Sequence, residues 1–365
     1  MKVIHILWSG EIGGAERAVA QLAAYQREND TFDVAIGFGR AEGEFARRAR
    51  TDGVCVHDFQ LKSGHDLRSV RRIRRVLAGY DVHHFHCAEI VVIMASLLCR
   101  KVRRIYTHRG GLFSYPPRQA LRYALLAPIF RHFFAVTGTA QAARAVEELF
   151  RIPRSSVVRT FNGVDADTLK PSQDPHLLRA QFGIPGSTVV IGTAANLRSL
   201  KRIDSLIRAV ASLSQDDYRL IVLGDGPALP DLTALAEATL PQGRGIFPGM
   251  VTNVGDWLAI MDIFALPSGP EESFGNAAVE AMTVGLPVLV RSDSPALAEH
   301  VIDGRTGFVV GDERELSVRL QQLVNDPSLR TTLGAAARET VVRRYTMEGM
   351  AAAFRGLYVQ APVVT

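Results

Sequence analysis

Short apolar runs rich in β-branched residues alternate with longer amphipathic stretches along the whole chain. Each run is followed by a turn and then by helical periodicity, the pattern of doubly wound α/β domains with parallel sheets. The first half predicts strands over residues 3–8, 33–38, 82–85, 104–107 and 133–136. The second half predicts strands over residues 189–194, 218–223, 246–247, 263–266 and 287–290.

The pattern pauses in the middle of the chain, where FNGVDADTLKP occupies residues 161–171. An Asn-Gly pair, a polar run and a proline are typical of a linker, and 365 residues are too many for one ordinary α/β domain. We therefore predict one Rossmann-like domain over residues 1–168 and a second from residue 169 onward. Two facing sheets of this kind would place ligands in a cleft at the carboxyl ends of their strands.

The composition, 47% apolar and 22% charged, is that of an ordinary globular protein and argues against long disordered stretches. The opening MKVIHILWSG lacks the long apolar core and cleavage site of a signal peptide. The apolar run over residues 90–99 is about half of the ~20 residues that a membrane-spanning helix needs. Three scattered cysteines without metal-ligand spacing indicate reduced thiols, so we expect a cytoplasmic protein.

Positive charge is concentrated in the first half. Residues 1–165 contain 25 Lys and Arg against 15 Asp and Glu, a net charge of +10, whereas the remainder has a net charge of −5. A positively charged first half favours anionic partners, because fixed positive charge raises their local concentration. In RSVRRIRRVLAGY, residues 68–80, an apolar helical face is surrounded by arginines. This pattern fits either a solvated surface helix or a helix that contacts an anionic membrane at its inner face.

The segment PSGPEESFGNAAVEAMTVGLPVLV, residues 267–290, carries the most chemistry. Glu272 and Glu280 are separated by seven residues, and SFGN between them leads into a predicted helix that begins near Gly275. The N-terminus of that helix would offer backbone N–H groups to hydroxyls or anions. Glu280, about one turn into the helix, could accept hydrogen bonds from a ribose diol. The alternative is an ordinary helix with surface glutamates, because the spacing also occurs by chance.

A polar loop after the strand at residues 189–194 carries Arg198, Lys201 and Arg202. Cations placed beside a leaving diphosphate lower the barrier to its departure, and a guanidinium binds phosphate oxygens bidentately. The alternative is a solvent-exposed basic start of a helix.

The turn SGEIGG after the first strand and two histidines add weaker signals. Gly13 and Gly14 allow a sharp turn and a close backbone approach to a ligand, although the spacing is not that of the dinucleotide fingerprint. His86 and His108 each follow or end a predicted strand, where an imidazole can donate to a sugar hydroxyl or move a proton. A plain turn and structural histidines are the alternatives.

These motifs, in this order, resemble those of the retaining, two-domain glycosyltransferases of the GT-B fold, specifically glycosyltransferase family 4. The resemblance covers nearly the whole chain. It implies transfer of a sugar from a nucleoside-diphosphate sugar, such as a UDP-sugar, without a metal or other cofactor. It also implies an acceptor-binding domain over residues 1–168, a nucleotide-sugar domain over residues 169–345, and a last helix within residues 346–365 that crosses back to the first domain.

The resemblance also assigns roles to individual residues. The implied catalytic residues are Glu272, His108 and Lys201. The implied donor-binding residues are Gly14, Arg198, Lys201, Asp225, Val251, Glu272, Ser273, Phe274, Gly275, Asn276 and Glu280. The implied acceptor-binding residues are Gly13, His86, His108 and Arg109. The family's commoner arginine, five residues before the lysine, is Asn196 here, so Arg198 is our substitute for it.

Two other interpretations stay open. One is another GT-B enzyme, a sugar-nucleotide epimerase or a phosphorylase; the other is a non-catalytic partner subunit of a transferase. Asp165 and Asp167 look like a metal-binding pair but lie in the predicted linker, so we expect no metal. The expected partners are a nucleotide sugar and a glycan, lipid-linked or small-molecule acceptor, with no nucleic acid. The donor sugar, its base and the acceptor are not specified by these patterns.

Overall fold

The structure is a computed structural model that describes residues 1–11, 14–63, 66–86, 89–108, 127–130, 133–214 and 217–360. The chain divides into two compact units. Unit 1 comprises Met1–Gly163 and Met347–Thr365, and unit 2 comprises Val164–Thr346. The boundary between the two units lies between residues 163 and 164, a few residues before the boundary after residue 168 that the linker predicts.

Unit 1 is built on a parallel sheet. Its strands are β1 (Lys2–Ser9), β2 (Asp33–Arg40), β3 (Cys55–Asp58), β4 (Val82–Phe85), β5 (Arg103–His108), β6 (Phe134–Thr137) and β7 (Val157–Arg159). They lie side by side in the order β3-β2-β1-β4-β5-β6-β7. Its α-helices, among the residues described, include α1 (Gly14–Asn29), α2 (Glu44–Thr51), α3 (Val70–Leu77), α4 (Ile90–Leu97) and α5 (Ala140–Leu149).

Unit 2 is built on a second parallel sheet. Its strands are β8 (Val189–Ala194), β9 (Tyr218–Leu223), β10 (Gly245–Gly249), β11 (Ile263–Leu266), β12 (Val288–Arg291) and β13 (Gly307–Val310). They lie in the order β10-β9-β8-β11-β12-β13. Its helices are α6 (Pro175–Gln181), α7 (Ile203–Ala211), α8 (Leu229–Thr239), α9 (Val254–Leu258), α10 (Asn276–Thr283), α11 (Pro295–Ala298), α12 (Glu313–Asn325) and α13 (Pro327–Arg344). The chain then returns to unit 1 as α14 (Met347–Gln360).

Each sheet reverses its strand order once, between β1 and β4 in unit 1 and between β8 and β11 in unit 2. This order is that of a doubly wound fold, so the predicted fold class is confirmed. In such sheets ligands bind beyond the carboxyl ends of the two strands that flank the reversal. The loops after these four strands are therefore where a site is expected.

Alternate residues of β1 point to opposite faces of its sheet, as the period of two requires. Ile4 and Ile6 pack in the core that also contains residues of α3 and α4. Val3 packs on the other face with Phe354 and Tyr358 of α14. The last helix is thus anchored in unit 1 by large buried side chains, each worth roughly 1.5–3 kcal/mol when removed from water.

The strands β3, β7 and β13 were not among the predicted strands. All three lie at sheet edges, and β3 and β7 have no fully buried residue. Short, half-buried edge strands such as β3 and β7 need no apolar run, so hydrophobic periodicity does not reveal them. The strand β13 is an apolar, mostly buried run that the strand prediction left out. Among the residues described, no helix combines the length and the apolar character that crossing a membrane would require.

Candidate active site

Two loops of unit 2 follow β8 and β11, the strands that flank its reversal of strand order. The basic loop, residues 195–202, contains a 3₁₀ turn at Ser199–Lys201. The glutamate loop, residues 267–275, leads into α10. The Gly269 N–H donates to the Leu200 carbonyl over 2.8 Å and joins the two loops. The topology thus brings together two segments that are far apart in the chain.

Lys201 and Glu272 form an ion pair across these loops, with 2.5 Å between Nζ and Oε2. Their side chains are only 17% and 7% exposed. Burial by itself raises the pKa of Glu272, but the charge and hydrogen bond of Lys201 and the Ser273 N–H outweigh burial, so this pKa lies below its ordinary value. Glu272 is therefore a carboxylate at neutral pH. The pair uses one of the three N–H donors of Lys201, so the same ammonium can also meet an anion.

Glycine determines how the glutamate loop enters α10. Gly275 has a φ of +82°, a backbone conformation that residues with a side chain rarely adopt. A Cβ at this position would lie 2.1 Å from Leu297 Cδ2. Gly275 is the N-cap of α10 and has no side chain to cap the first N–H groups. The preceding Ser273 N–H donates to Glu272 Oε1 over 3.1 Å. A carboxylate and backbone donors therefore lie within a few residues, a set suited to sugar hydroxyls.

A third loop, after β9, packs against the basic loop. The Leu197 N–H donates to the Asp225 carbonyl over 2.8 Å. A Cβ at Gly224 would lie 1.9 Å from the Ala195 carbonyl oxygen, and one at Gly226 would lie 2.5 Å from that of Leu197. The close approach of these two loops therefore requires glycine at both positions.

The cations of the basic loop have different surroundings. Lys201 pairs with Glu272, whereas Arg202 Nη1 pairs with Asp293 Oδ2 over 2.7 Å. Arg198 is exposed. Lys201 and Arg198 thus differ in burial although they are only three positions apart, and Arg202 is held by a partner outside the glutamate loop.

The remaining predicted donor residues surround these loops. Asp225 is exposed and accepts the Gly226 N–H at Oδ1 over 2.6 Å. Val251, just after β10, and Glu280, on α10, are half-buried. Asn276 is the first residue of α10. All of these positions belong to unit 2, and their roles stay predictions.

The predicted acceptor residues belong to unit 1. His86 follows β4, next to the reversal of strand order, and its Nε2 lies 3.0 Å from His5 Nδ1. His108 is the last residue of β5 and is buried, with its Nδ1 3.2 Å from the Tyr106 hydroxyl.

Three of the predicted residues lie at the start of a described segment or outside the described residues. Gly14 is the first residue of α1, just after the β1 turn. Gly13 and Arg109 lie outside the described residues.

Three histidines of unit 1, His5, His84 and His86, have ring nitrogens within 4.8 Å of one another, a spacing at which imidazoles can hold a metal ion. His5 Nε2 lies 3.0 Å from Gln26 Oε1. Both ring nitrogens of His84 bond to hydroxyl groups, at 2.8 and 2.6 Å. Neutral tautomers satisfy these bonds, so hydrogen bonding suffices to explain the cluster. The expectation of no metal stays a prediction.

Known proteins resemble this chain over both units. The profile of Glycosyltransferase Family 4 matches residues 12–168, and that of Glycosyl transferases group 1 matches residues 176–340. The lipopolysaccharide core biosynthesis glycosyltransferase LpsE of Rhizobium meliloti (strain 1021) is 32% identical over 371 residues, covering 99% of this chain and 100% of LpsE. The chain belongs to glycosyltransferase family 4. The family assignment made from the motifs is confirmed.

Other relatives of this family 4 glycosyltransferase match more partially. N-acetyl-alpha-D-glucosaminyl L-malate synthase of Bacillus anthracis is 28% identical over 209 residues, covering 56% of this chain and 54% of that enzyme. The chain spans about half the length of this and several other curated relatives. Anabaena Alr3699/HepE, solved in complex with UDP and glucose, superposes with a TM-score of 0.87 at 21% identity, covering 98% of this chain and 99% of HepE. This likeness confirms the GT-B fold.

Sequence reasoning missed one residue that contacts the glutamate loop of the glycosyltransferase. His300 is buried and its Nε2 lies 2.7 Å from the Phe274 carbonyl oxygen. Its Nδ1 lies 2.7 Å from the Tyr345 hydroxyl. His300 stands in none of the motifs and lies 26 residues beyond Phe274. No local pattern could have indicated this contact.

Proposed function

We propose that this glycosyltransferase moves a hexosyl group from a nucleoside-diphosphate sugar to an acceptor and retains the anomeric configuration. The buried Lys201–Glu272 pair beside the N-terminus of α10 carries the proposal. The complex of HepE with UDP and glucose supports a UDP-sugar as the donor. The name of LpsE supports a glycan acceptor in cell-surface polysaccharide biosynthesis.

The reaction breaks the bond between the anomeric carbon and the diphosphate oxygen, and the electron pair leaves with the nucleoside diphosphate. Lys201 and Arg198 would meet the charge that grows on this leaving group. The acceptor oxygen forms the new bond on the same face, and its proton passes to a donor phosphate oxygen. Glu272, an ionised carboxylate, would stabilise the positive charge that develops on the sugar ring. This sequence needs no metal.

A nucleotide screen tests the proposal. Purified protein is heated with UDP, GDP, ADP, dTDP and their common sugars, because a ligand that binds only the folded state raises the Tm. The sugar nucleotide with the largest shift is then incubated with candidate glycan acceptors, and nucleoside diphosphate release is measured. The anomeric configuration of the product follows from its NMR coupling constants. We expect release of the diphosphate and a product with the configuration of the donor.

Other outcomes would identify the alternatives. Absence of nucleotide binding would support a non-catalytic partner subunit. Formation of an isomeric sugar nucleotide would support an epimerase, and consumption of inorganic phosphate would support a phosphorylase. A product with the inverted anomeric configuration would support the transferase activity but contradict the retaining mechanism.

The peripheral contact with an anionic membrane has its own support in unit 1. Helix α4 exposes Met94 and Leu97, and its C-cap Leu98 is also exposed, at 38%, 38% and 55%. Their spacing, i, i+3 and i+4, is that of one helical face. Helix α3 exposes Arg71 and Arg74 on its solvent side. We call these residues the α3–α4 surface. Cations around exposed apolar side chains suit the interface of a negatively charged bilayer.

Vesicle sedimentation tests this contact with a matched pair of variants. Leu97→Ser with Leu98→Ser removes two exposed aliphatic side chains from the α3–α4 surface. The control, Val318→Ser with Val342→Ser, removes two from unit 2 that are 57% and 54% exposed. We expect binding to phosphatidylglycerol vesicles that falls with salt and is weakened only by the first pair. Equal binding by both pairs would support a solvated surface instead.

A further inference from the structure

A chain of three buried aromatic side chains lies behind the glutamate loop. The His300 ring centroid is 4.5 Å from that of Phe274 and 5.2 Å from that of Tyr345, both edge-to-face. His300 bonds to the Phe274 carbonyl through Nε2 and to the Tyr345 hydroxyl through Nδ1, each over 2.7 Å. All three side chains are nearly inaccessible to water. We call them the Phe274–His300–Tyr345 chain.

The chemistry of these bonds determines the form of the histidine. A carbonyl oxygen only accepts, so Nε2 carries a hydrogen. Burial lowers the pKa of His300 to about 4, so the ring is neutral at pH 7 and Nδ1 accepts from the Tyr345 hydroxyl. An apolar side chain of similar size could fill the space. It would leave the Phe274 carbonyl without its donor.

The bond to Phe274 determines the orientation of one peptide group. The Phe274 carbonyl and the Gly275 N–H belong to the same planar unit, so holding the oxygen also directs the N–H. Gly275 has a positive φ and the greatest conformational freedom of any residue type. A turn at such a residue needs an external contact to keep one conformation, and His300 supplies it.

Tyr345 connects this arrangement to the last residues of unit 2. Its carbonyl accepts the Val164 N–H over 2.8 Å, and Val164 and Thr346 form a parallel bridge. These residues are the first and the last of unit 2. The Phe274–His300–Tyr345 chain therefore runs from the glutamate loop to the paired ends of the unit.

We infer that His300, oriented by Tyr345, is a positioning residue for the donor sugar. It holds the Phe274–Gly275 peptide so that the N–H groups of the glutamate loop face the sugar hydroxyls while Glu272 faces the reacting carbon. The inference rests on the proposed function, in which this loop binds the sugar. In the proposed function the diphosphate meets Lys201 and Arg198 of the basic loop, so we expect its affinity to depend little on His300.

Another histidine of the protein offers a matched control for this inference. His83 of unit 1 is also fully buried, with Nε2 2.8 Å from the Leu77 carbonyl oxygen and Nδ1 2.8 Å from the Ser96 hydroxyl. Burial lowers its pKa to about 4 as well. His300→Leu and His83→Leu thus each remove one hydrogen bond to a backbone carbonyl and one to a hydroxyl, from equally buried sites. A general loss of stability would affect both variants alike.

The experiment compares these variants with the wild type, using the nucleotide sugar and nucleoside diphosphate selected by the screen. For His300→Leu we expect a 10–100-fold lower kcat, as a misplacement of about 1 Å can cause, with diphosphate affinity within about twofold. His83→Leu should retain kcat. His300→Gln should restore most of the activity, since its amide can donate to Phe274 and accept from Tyr345. Tyr345→Phe, which retains the ring, should have an intermediate kcat.

Hydrogen exchange provides a readout that does not depend on turnover. The amides of residues 274–277 should exchange faster in His300→Leu than in His83→Leu, each measured without ligand. Equal exchange in the two variants, or equal kcat in an active protein, would overturn the inference. If the wild type turns over no sugar nucleotide while exchange differs as expected, the proposed function fails and the positioning of the loop by His300 stands.

Discussion

At the strands that flank each reversal of strand order, the two units hold buried polar side chains in different electrostatic forms. In unit 1, His84 on β4 bonds to the Tyr358 hydroxyl, and His5 on β1 bonds to Gln26, in a network that neutral tautomers satisfy. In unit 2, the loops after the corresponding strands contain the Lys201–Glu272 ion pair. A neutral network needs only hydrogen-bond partners. A buried ion pair also carries the cost of removing two charges from water.

This difference indicates where charge is needed. A pair of apolar residues would fill the space of Lys201 and Glu272 without the desolvation cost. The pair is placed at the carboxyl ends of β8 and β11, beside glycine-dependent loops. A site that meets a leaving diphosphate requires a cation in place before the reaction begins. The comparison therefore predicts that, beside the strands flanking each reversal, the ion pair of unit 2 serves chemistry and the neutral bonds of unit 1 serve stability.

The largest effect is expected from breaking the ion pair of unit 2. Lys201→Met leaves the Glu272 carboxylate buried without a cation and should lower the free energy of unfolding by about 3–5 kcal/mol. The control, Arg202→Met, breaks a pair whose side chains are 36% and 42% exposed, and should cost about 1 kcal/mol or less. Urea denaturation at pH 7 measures both. Similar losses would mean that burial does not set the strength of the first pair.

Removing the charge of Glu272 should affect turnover more than stability. Glu272→Gln retains the shape and a hydrogen-bond acceptor for Lys201, but it cannot stabilise positive charge on the sugar. We expect kcat to fall by about 10²–10³ with donor affinity nearly unchanged, as for an interaction made mainly in the transition state. The adjacent Glu271, which is exposed, provides the control Glu271→Gln. Equal losses of kcat and donor affinity in Glu272→Gln would count against its assigned role.

Acid should destabilise both units through one buried histidine in each. The pKa of His83 and of His300 is about 4 in the folded protein, lowered by burial from 6.5. Between these values the unfolded chain binds more protons, so stability is complete above about pH 6.5 and falls as the pH drops toward 4. Each histidine adds a slope of up to about 1.4 kcal/mol per pH unit. Denaturation of His83→Gln and His300→Gln between pH 7 and 4 should each show a smaller slope than the wild type; an unchanged slope would mean that the histidine is not buried and neutral.

The smallest effect is expected in the neutral network. Tyr358→Phe removes the hydroxyl that His84 Nδ1 contacts over 2.8 Å and should cost about 1–3 kcal/mol of unfolding free energy. Turnover should remain within about twofold of the wild type. A large loss of turnover at unchanged stability would show that the network of unit 1 takes part in the reaction, which would remove the contrast between the units.

Much of the architecture could be predicted from local patterns. The strands β4, β8, β9 and β11 have the bounds that apolar runs predicted, because buried parallel strands consist of such runs. The edge strands β3 and β7 could not be predicted, because their residues are half-buried or exposed. Residues 274 and 275 were placed in the site by their motif, but the reason that the turn has one conformation lies in His300.

By itself, the sequence determined the alternation of strands and helices, the glycine-dependent turns and the family. These properties depend on residues close to one another in the chain, so periodicity and turn chemistry encode them locally. Only the tertiary structure decided that Lys201 meets Glu272 and Arg202 meets Asp293, and that His300 rather than a nearer residue bonds to Phe274. These contacts join residues that are 26 to 91 positions apart, and sheet order and helix packing select the partners after the local elements have formed.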